Sequence, residues 1–176
     1  MDLQALLSGV SYTGTVAGDV EIKGVSHDTR TLRPGELFVA LKGYKTDGHL
    51  YLSEARSKGA AALLAQEGEG EDLLLTDDTR SALAQISCNW FGHPGRELQL
   101  VGITGTNGKT TTASLVHAML TRALHTKVGL LGTNGVRVGE ESYPAQRTTP
   151  ESYDLQAWLR KMADAGCTHV VMEVSS

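Results

Sequence analysis

The sequence predicts an α/β fold in two parts. A small N-terminal α/β domain spans residues 1–94, and part of a second domain with a mostly parallel sheet spans 95–176. Three observations predict it. Short apolar runs of strand length alternate with amphipathic stretches of helix length. The segment GHPGRE (92–97) interrupts that alternation with two glycines and a proline, and marks the boundary. After it, LQLVGIT (98–104) is a continuous apolar run, the pattern of a strand buried on both faces of a parallel sheet.

The elements follow in order. GELFVAL (35–41) reads as a strand, HLYLSEARSKG (49–59) as a short helix stopped by Gly59, and AAALLA (60–65) and DLLLT (72–76) as buried strands. DDTRSALAQISCNWFG (77–92) reads as a helix capped by Asp78, with Leu83, Ile86 and Trp90 on one face. Beyond the boundary come strand 98–104, helix 109–124, strand TKVGLLG (126–132), helix 148–166 and strand THVVMEVSS (168–176). In helix 148–166, Thr149 is the expected N-cap, Pro150 the first helical residue and Gly166 the stop. Leu155, Trp158, Leu159 and Met162 form its apolar stripe. Strand–helix–strand order of this kind gives a parallel sheet. The chain stops at Ser176 directly after a strand, with no closing helix, and reads as part of something longer.

Composition removes several function classes. Of the 176 residues 40% are hydrophobic, enough for a core, and the 20 glycines fit many short turns. The formal charge of −4 argues against a general nucleic-acid binder, which would carry a basic stripe. No run approaches the roughly 18 apolar residues of a membrane span. MDLQALLSGV lacks the basic region and apolar core of a signal peptide. Cys88 and Cys167 sit in no CxxC or CxxH pattern and read as core thiols, and the six histidines show no ligand spacing and read as structural or solvated. The expectation is a soluble cytoplasmic monomer, with no nucleic acid and no membrane insertion.

The chemistry concentrates in VGITGTNGKTTTASLVHAML (101–120), an apolar strand, a Gly/Thr-rich turn and an apolar helix. Such a turn points backbone N–H groups at one spot, at the positive end of the helix dipole, where phosphate oxygens fit. Gly105, Thr106, Asn107, Gly108, Lys109, Thr110 and Thr111 are the candidate ATP-binding residues. Lys109, the candidate catalytic residue, would reach the β- and γ-phosphates, and the Thr110 hydroxyl would ligate Mg²⁺. GxxxxGK[ST] asks for glycine at 103, where Ile103 stands, but GKTT fits in full. Residues 95–176 therefore read as part of a P-loop ATPase domain. Glu173 ends a buried-type strand, where open α/β sheets keep their ligand crevice, and is the second candidate for Mg²⁺.

GTNGKTT (105–111) resembles the phosphate loop of the Mur ligases, the ATP-dependent amide-forming enzymes of peptidoglycan synthesis. SHDTRTLRPGELFVALKGYKTDGH (26–49) resembles the N-terminal domain of the members that add the third residue or the final dipeptide. TTPES (148–152) and MEVSS (172–176) resemble the central domain of the branch that adds the third residue. The resemblance implies a domain holding the UDP end of UDP-N-acetylmuramoyl-L-alanyl-D-glutamate, then a central ATPase domain, with ATP and Mg²⁺ as cofactors. It implies phosphoryl transfer to the substrate carboxylate, then attack on the acyl phosphate by the amine of meso-diaminopimelate or L-lysine. Thr29, Tyr44, Lys45 and Thr46 would lie along the UDP, and Thr148, Thr149 and Ser175 along the peptidyl part. Arg147 would add charge there or face solvent. The family's carbamylated lysine, a metal-binding histidine and the C-terminal amino-acid site would lie beyond Ser176, so this chain alone is expected to be inactive.

Three other readings compete. The dipeptide-adding ligases usually carry a serine-containing loop in place of GTNG. A folylpolyglutamate synthetase would lack the domain that DTR…GELFVALKG resembles. A non-catalytic nucleotide-binding module would keep the fold alone.

Overall fold

In the computed structural model, residues 1–43, 46–145 and 147–175 are described. Contacts divide the chain into two units, Met1–Trp90 and Phe91–Ser176.

The first unit contains α1 (Leu3–Leu6), β1 (Gly24–Ser26), β2 (Glu36–Val39), α2 (Leu52–Ser57), β3 (Ala62–Ala65), β4 (Leu73–Leu75) and α3 (Thr79–Trp90). Its four strands pair in sequence order, all parallel. Phe38, Ala40, Leu63 and Ala65 meet Leu52 and Ala55 of α2 in one core cluster. Alternate residues of β2 and β3 form that cluster because successive strand side chains point to opposite faces. The segment read as one helix over 49–59 is a 3-10 turn at Gly48–Tyr51 followed by α2, with the Asp47 side chain accepting from His49 N. Asp78 caps α3 as expected, accepting from the backbone of Arg80 and Ser81. Leu83 and Ile86 are buried. Short α1 and β1 escaped the sequence reading, having too few residues to show a period.

The second unit contains β5 (Gln99–Ile103), α4 (Lys109–Leu124), β6 (Lys127–Gly132), β7 (Gly135–Val138), β8 (Glu141–Tyr143), α5 (Ser152–Asp164) and β9 (Cys167–Glu173). The strand order is β5-β9-β6-β7-β8, with β5, β9 and β6 parallel and β7 and β8 antiparallel. One face of the sheet packs on α4 through Ala113, Val128 and Val171. The other packs on α5 through Leu131, Leu159, Met162 and Val170. Gly129 admits α5 closely, since a Cβ there would lie 2.5 Å from Met162 Sδ. Arg160 of α5 forks onto both oxygens of Glu97 at 2.6 and 3.0 Å, tying the helix to the segment before β5.

Two expectations are corrected here. Within this chain β5 is not buried on both faces: among the described residues it pairs with β9 alone, at the edge of the sheet, and Leu100 is 45% exposed. Helix α5 starts later than expected, with Glu151 rather than Thr149 at its N-cap and Pro150 outside it. The Thr149 hydroxyl is already committed to the end of β9, donating to Glu173 O at 3.1 Å. Gly166, at φ 79°, does end the helix.

Candidate functional site

The site forms where three parallel strands end. β5 runs into the loop Thr104–Gly108, and α4 begins at Lys109. Gly108 is the N-cap in left-handed conformation, φ 77°, and supplies no capping side chain. That conformation favours glycine. The first N–H groups of any helix lack intrahelical partners, so α4 presents uncapped donors at the positive end of its dipole. Ile103, the departure from the glycine pattern, is the last residue of β5, where its carbonyl accepts from Val174 N at 2.8 Å.

Strand alternation aims the second half of the site. On β9, Val171 faces α4; Glu173, two residues on, faces the same way and meets the first turn of that helix. Thr110 Oγ1 donates to Glu173 Oε2 at 2.9 Å. Thr133, directly after β6, donates its N–H to Oε1 at 2.9 Å and its hydroxyl to Oε2 at 3.2 Å. Glu173 is 2% exposed, held by three neutral donors, with no ion pair among the described residues. Lys109 does not reach it; its Nζ donates to Gly105 O at 2.6 Å. A buried carboxylate with no cationic partner is costly, and a hard cation supplied with its own oxygen ligands would offset that cost. Mg²⁺ fits the donor set, because it is commonly bound through one or two protein oxygens together with phosphates and water. Among the described residues no group of three or more acidic, histidine or cysteine side chains forms a separate metal cluster.

Opposite the loop, Thr148 Oγ1 lies 3.1 Å from Thr133 Oγ1. The Thr149 hydroxyl lies 3.0 Å from Ser175 Oγ and accepts from Ser175 N at 2.9 Å. Thr106 to Thr111, Thr133, Thr148, Glu173 and Ser175 line one open cleft of about 440 Å³. The candidates from the second half of the sequence thus converge, with Gly105 at the loop's base.

Two first-unit candidates lie in polar turns. Thr29 is only 6% exposed; its side chain hydrogen-bonds Glu54 and its carbonyl accepts from Lys58 Nζ at 2.7 Å. The neighbouring Arg30 guanidinium holds the Asp28 carboxyl down at about 2, chiefly through their side-chain hydrogen bonds. Thr46 is exposed, and its carbonyl accepts from Gly43 N at 3.0 Å. Tyr44 and Lys45 lie outside the described residues. Arg147 pairs with Glu151 at 2.8 Å.

Thr133 was not among the sequence candidates. Its signal was present: the letters GTNG occur twice, at 105–108 and again at 132–135, where they follow a strand end.

The fold and cleft define an α/β protein built around a strand–glycine loop–helix phosphate motif faced by a strand-end carboxylate. Residues 103–176 match the family described as Mur ligase middle domain, and residues 21–89 match the Mur ligase family, catalytic domain. The chain belongs to the Mur ligase family. It is 42% identical, over its whole length, to a UDP-N-acetylmuramoyl-L-alanyl-D-glutamate–2,6-diaminopimelate ligase of Clostridium perfringens, covering 37% of that protein. The ligase of the same name from Geobacter metallireducens is 43% identical, with 99% of this chain and 34% of that protein covered. Among solved structures, a ligase of that name superposes with TM-score 0.72 at 26% identity, over 88% of this chain and 32% of the other. A MurF ligase from Thermotoga maritima in complex with ADP shares the fold at TM-score 0.55 and 23% identity, over 86% and 31%. The chain thus spans about a third of the length of the relatives it matches.

Proposed function

We propose that this chain is the N-terminal and nucleotide-binding portion of an ATP-dependent ligase that joins 2,6-diaminopimelate to UDP-N-acetylmuramoyl-L-alanyl-D-glutamate. The observation that carries the reading is the buried, cation-free Glu173 held 2.9 Å from the Thr110 hydroxyl at an uncapped helix start. The names of the relatives support diaminopimelate over L-lysine as the amine.

In this reading the backbone of residues 105–110 cradles the phosphates of ATP. Lys109 exchanges the Gly105 carbonyl for a phosphate oxygen, and Thr110 and Glu173 hold Mg²⁺. When bound, Mg²⁺ supplies charge neutralisation on the phosphoryl group in transfer. Thr148, Thr149 and Ser175 offer hydroxyls to the peptidyl end of the substrate, while Thr29, Tyr44, Lys45 and Thr46 contact the UDP end. The substrate carboxylate would take the γ-phosphoryl group as ADP leaves, and the amine would then attack the acyl phosphate, forming the amide and releasing phosphate and a proton. A cytoplasmic, monomeric enzyme is the simplest setting, and no helix among the described residues is long and apolar enough to cross a membrane.

The test is calorimetric titration of UDP-N-acetylmuramoyl-L-alanyl-D-glutamate and, separately, of ATP with Mg²⁺ into the folded 176-residue chain. Saturable binding of both, the first competed by UDP, is the expected result. A folded chain that binds neither overturns the reading. No amide product is expected from this chain alone.

A further inference from the structure

We propose that Thr133 is a positioning residue that couples the Glu173 carboxylate to Thr148 across the cleft. The inference rests on the reading of the cleft as a Mg²⁺–nucleotide site.

The argument is proton bookkeeping. A carboxylate only accepts, and a threonine hydroxyl carries one hydrogen and two lone pairs. Thr133 spends its hydrogen on Glu173 Oε2 at 3.2 Å. In its 3.1 Å contact with Thr148 it must therefore accept, and Thr148 must donate. Thr148 then has only lone pairs to offer the cleft, the wrong polarity for an anionic substrate. Glu173 Oε2 is also the oxygen that Thr110 contacts, so it is the oxygen a cation shared with Thr110 would engage. A cation on Oε2 takes the place of the Thr110 hydrogen and draws charge from that oxygen, which weakens it as an acceptor, so the Thr133 hydrogen turns to Thr148 instead. Thr148 becomes the acceptor in that pair, and its own hydrogen turns to the cleft, ready for a carboxylate. The Thr133 N–H keeps Oε1 fixed throughout, at 2.9 Å. Filling one side of the cleft thereby sets the donor polarity of the other, and such coupling is reciprocal between the two ligands.

The experiment uses the 176-residue chain with methyl-labelled threonine, titrated with ADP with and without Mg²⁺. The wild type and Thr133→Ser are expected to show a shift of the Thr148 methyl resonance that requires Mg²⁺. In Thr133→Val, nearly isosteric but without the hydroxyl, ADP still binds while the Thr148 shift is lost, and the Mg²⁺-dependent gain in affinity falls about fivefold, the order of one hydrogen bond. An equal Thr148 shift in Thr133→Val overturns the proposal. So does failure of Thr133→Ser to restore it. A ligand-free arm separates this from the nucleotide reading: amide exchange at Thr133 is expected to be slow in the wild type and about tenfold faster in Glu173→Ala, matching loss of a charge-assisted bond. Unprotected Thr133 in the wild type sinks the coupling itself, whereas protection without any ADP binding sinks only the nucleotide reading.

Discussion

The carboxylate of Glu173 occupies the space that a side chain at position 132 would need. A Cβ built on Gly132 falls well inside van der Waals contact of Glu173 Oε1, and the clash extends to Cδ at 2.9 Å. The glycine is there for room, since the strand β6 around it is extended. Gly132→Ala is expected to displace the carboxylate and weaken Mg²⁺-dependent ADP binding by about tenfold, or ~1.4 kcal/mol. Binding of ADP without Mg²⁺ should change little. Calorimetry of both titrations checks this, and an unchanged Mg²⁺ effect would count against Glu173 as the metal-side ligand.

The Lys109 ammonium donates to the Gly105 carbonyl and makes no ion pair among the described residues. Lys109→Met should therefore leave the fold intact by circular dichroism. Affinity for ATP should fall by roughly 1.5–3 kcal/mol, the worth of a hydrogen bond to a charged group. Unaltered affinity would mean that the lysine does not turn to phosphate.

Helix α5 and β6 touch through one missing methyl group. With Met162 Sδ 2.5 Å from a Cβ at position 129, Gly129→Ala overpacks the core. The expected cost is about 1–3 kcal/mol in denaturant unfolding. Adding Met162→Ala should make the double variant less destabilised than the two single effects summed. Simple additivity would place the strain elsewhere.

His117 should make the stability of the second unit depend on pH. Burial pushes its imidazole below the ordinary value of 6.5, helped by Arg137 and opposed by its hydrogen bond to Val128 O. The unfolded chain then takes up a proton more readily than the folded one. The stabilisation is complete above about 6.5 and is lost as pH falls from there through the lower folded-state value. Unfolding midpoints measured from pH 7.5 to 5 should drop in the wild type and drop less in His117→Gln. Identical pH profiles would contradict the assignment.

How far the sequence reaches depends on how local each feature is. The strand–glycine loop–helix around GTNGKTT was legible because it is continuous in sequence: β5 ends at Ile103, Gly108 takes the left-handed N-cap and α4 starts at Lys109. The cap at Asp78 and the stop at Gly166 were legible for the same reason. β5 was misread because burial is a property of neighbours: an apolar run reports what a strand can cover, not which side is paired. The hairpin β7–β8 was missed, as its strands of four and three residues are too short for a visible period. Thr149 was given a capping role that its own short-range pattern favours, yet its hydroxyl went to a strand 24 residues away. Thr133 was overlooked because its hydrogen bonds to Glu173 exist only once β6 and β9 lie side by side.

The burial of Glu173 also bears on the resting stability of the ligand-free chain. A carboxylate almost wholly buried beside the cleft it lines, and answered only by neutral donors among the described residues, is held at an electrostatic cost. Replacing Glu173 by glutamine, which keeps an acceptor oxygen but carries no charge, should remove the Mg²⁺ dependence of ADP binding if Glu173 is the metal-side ligand. On the proposed reading, the buried charge is a stability cost kept for the sake of ligand binding.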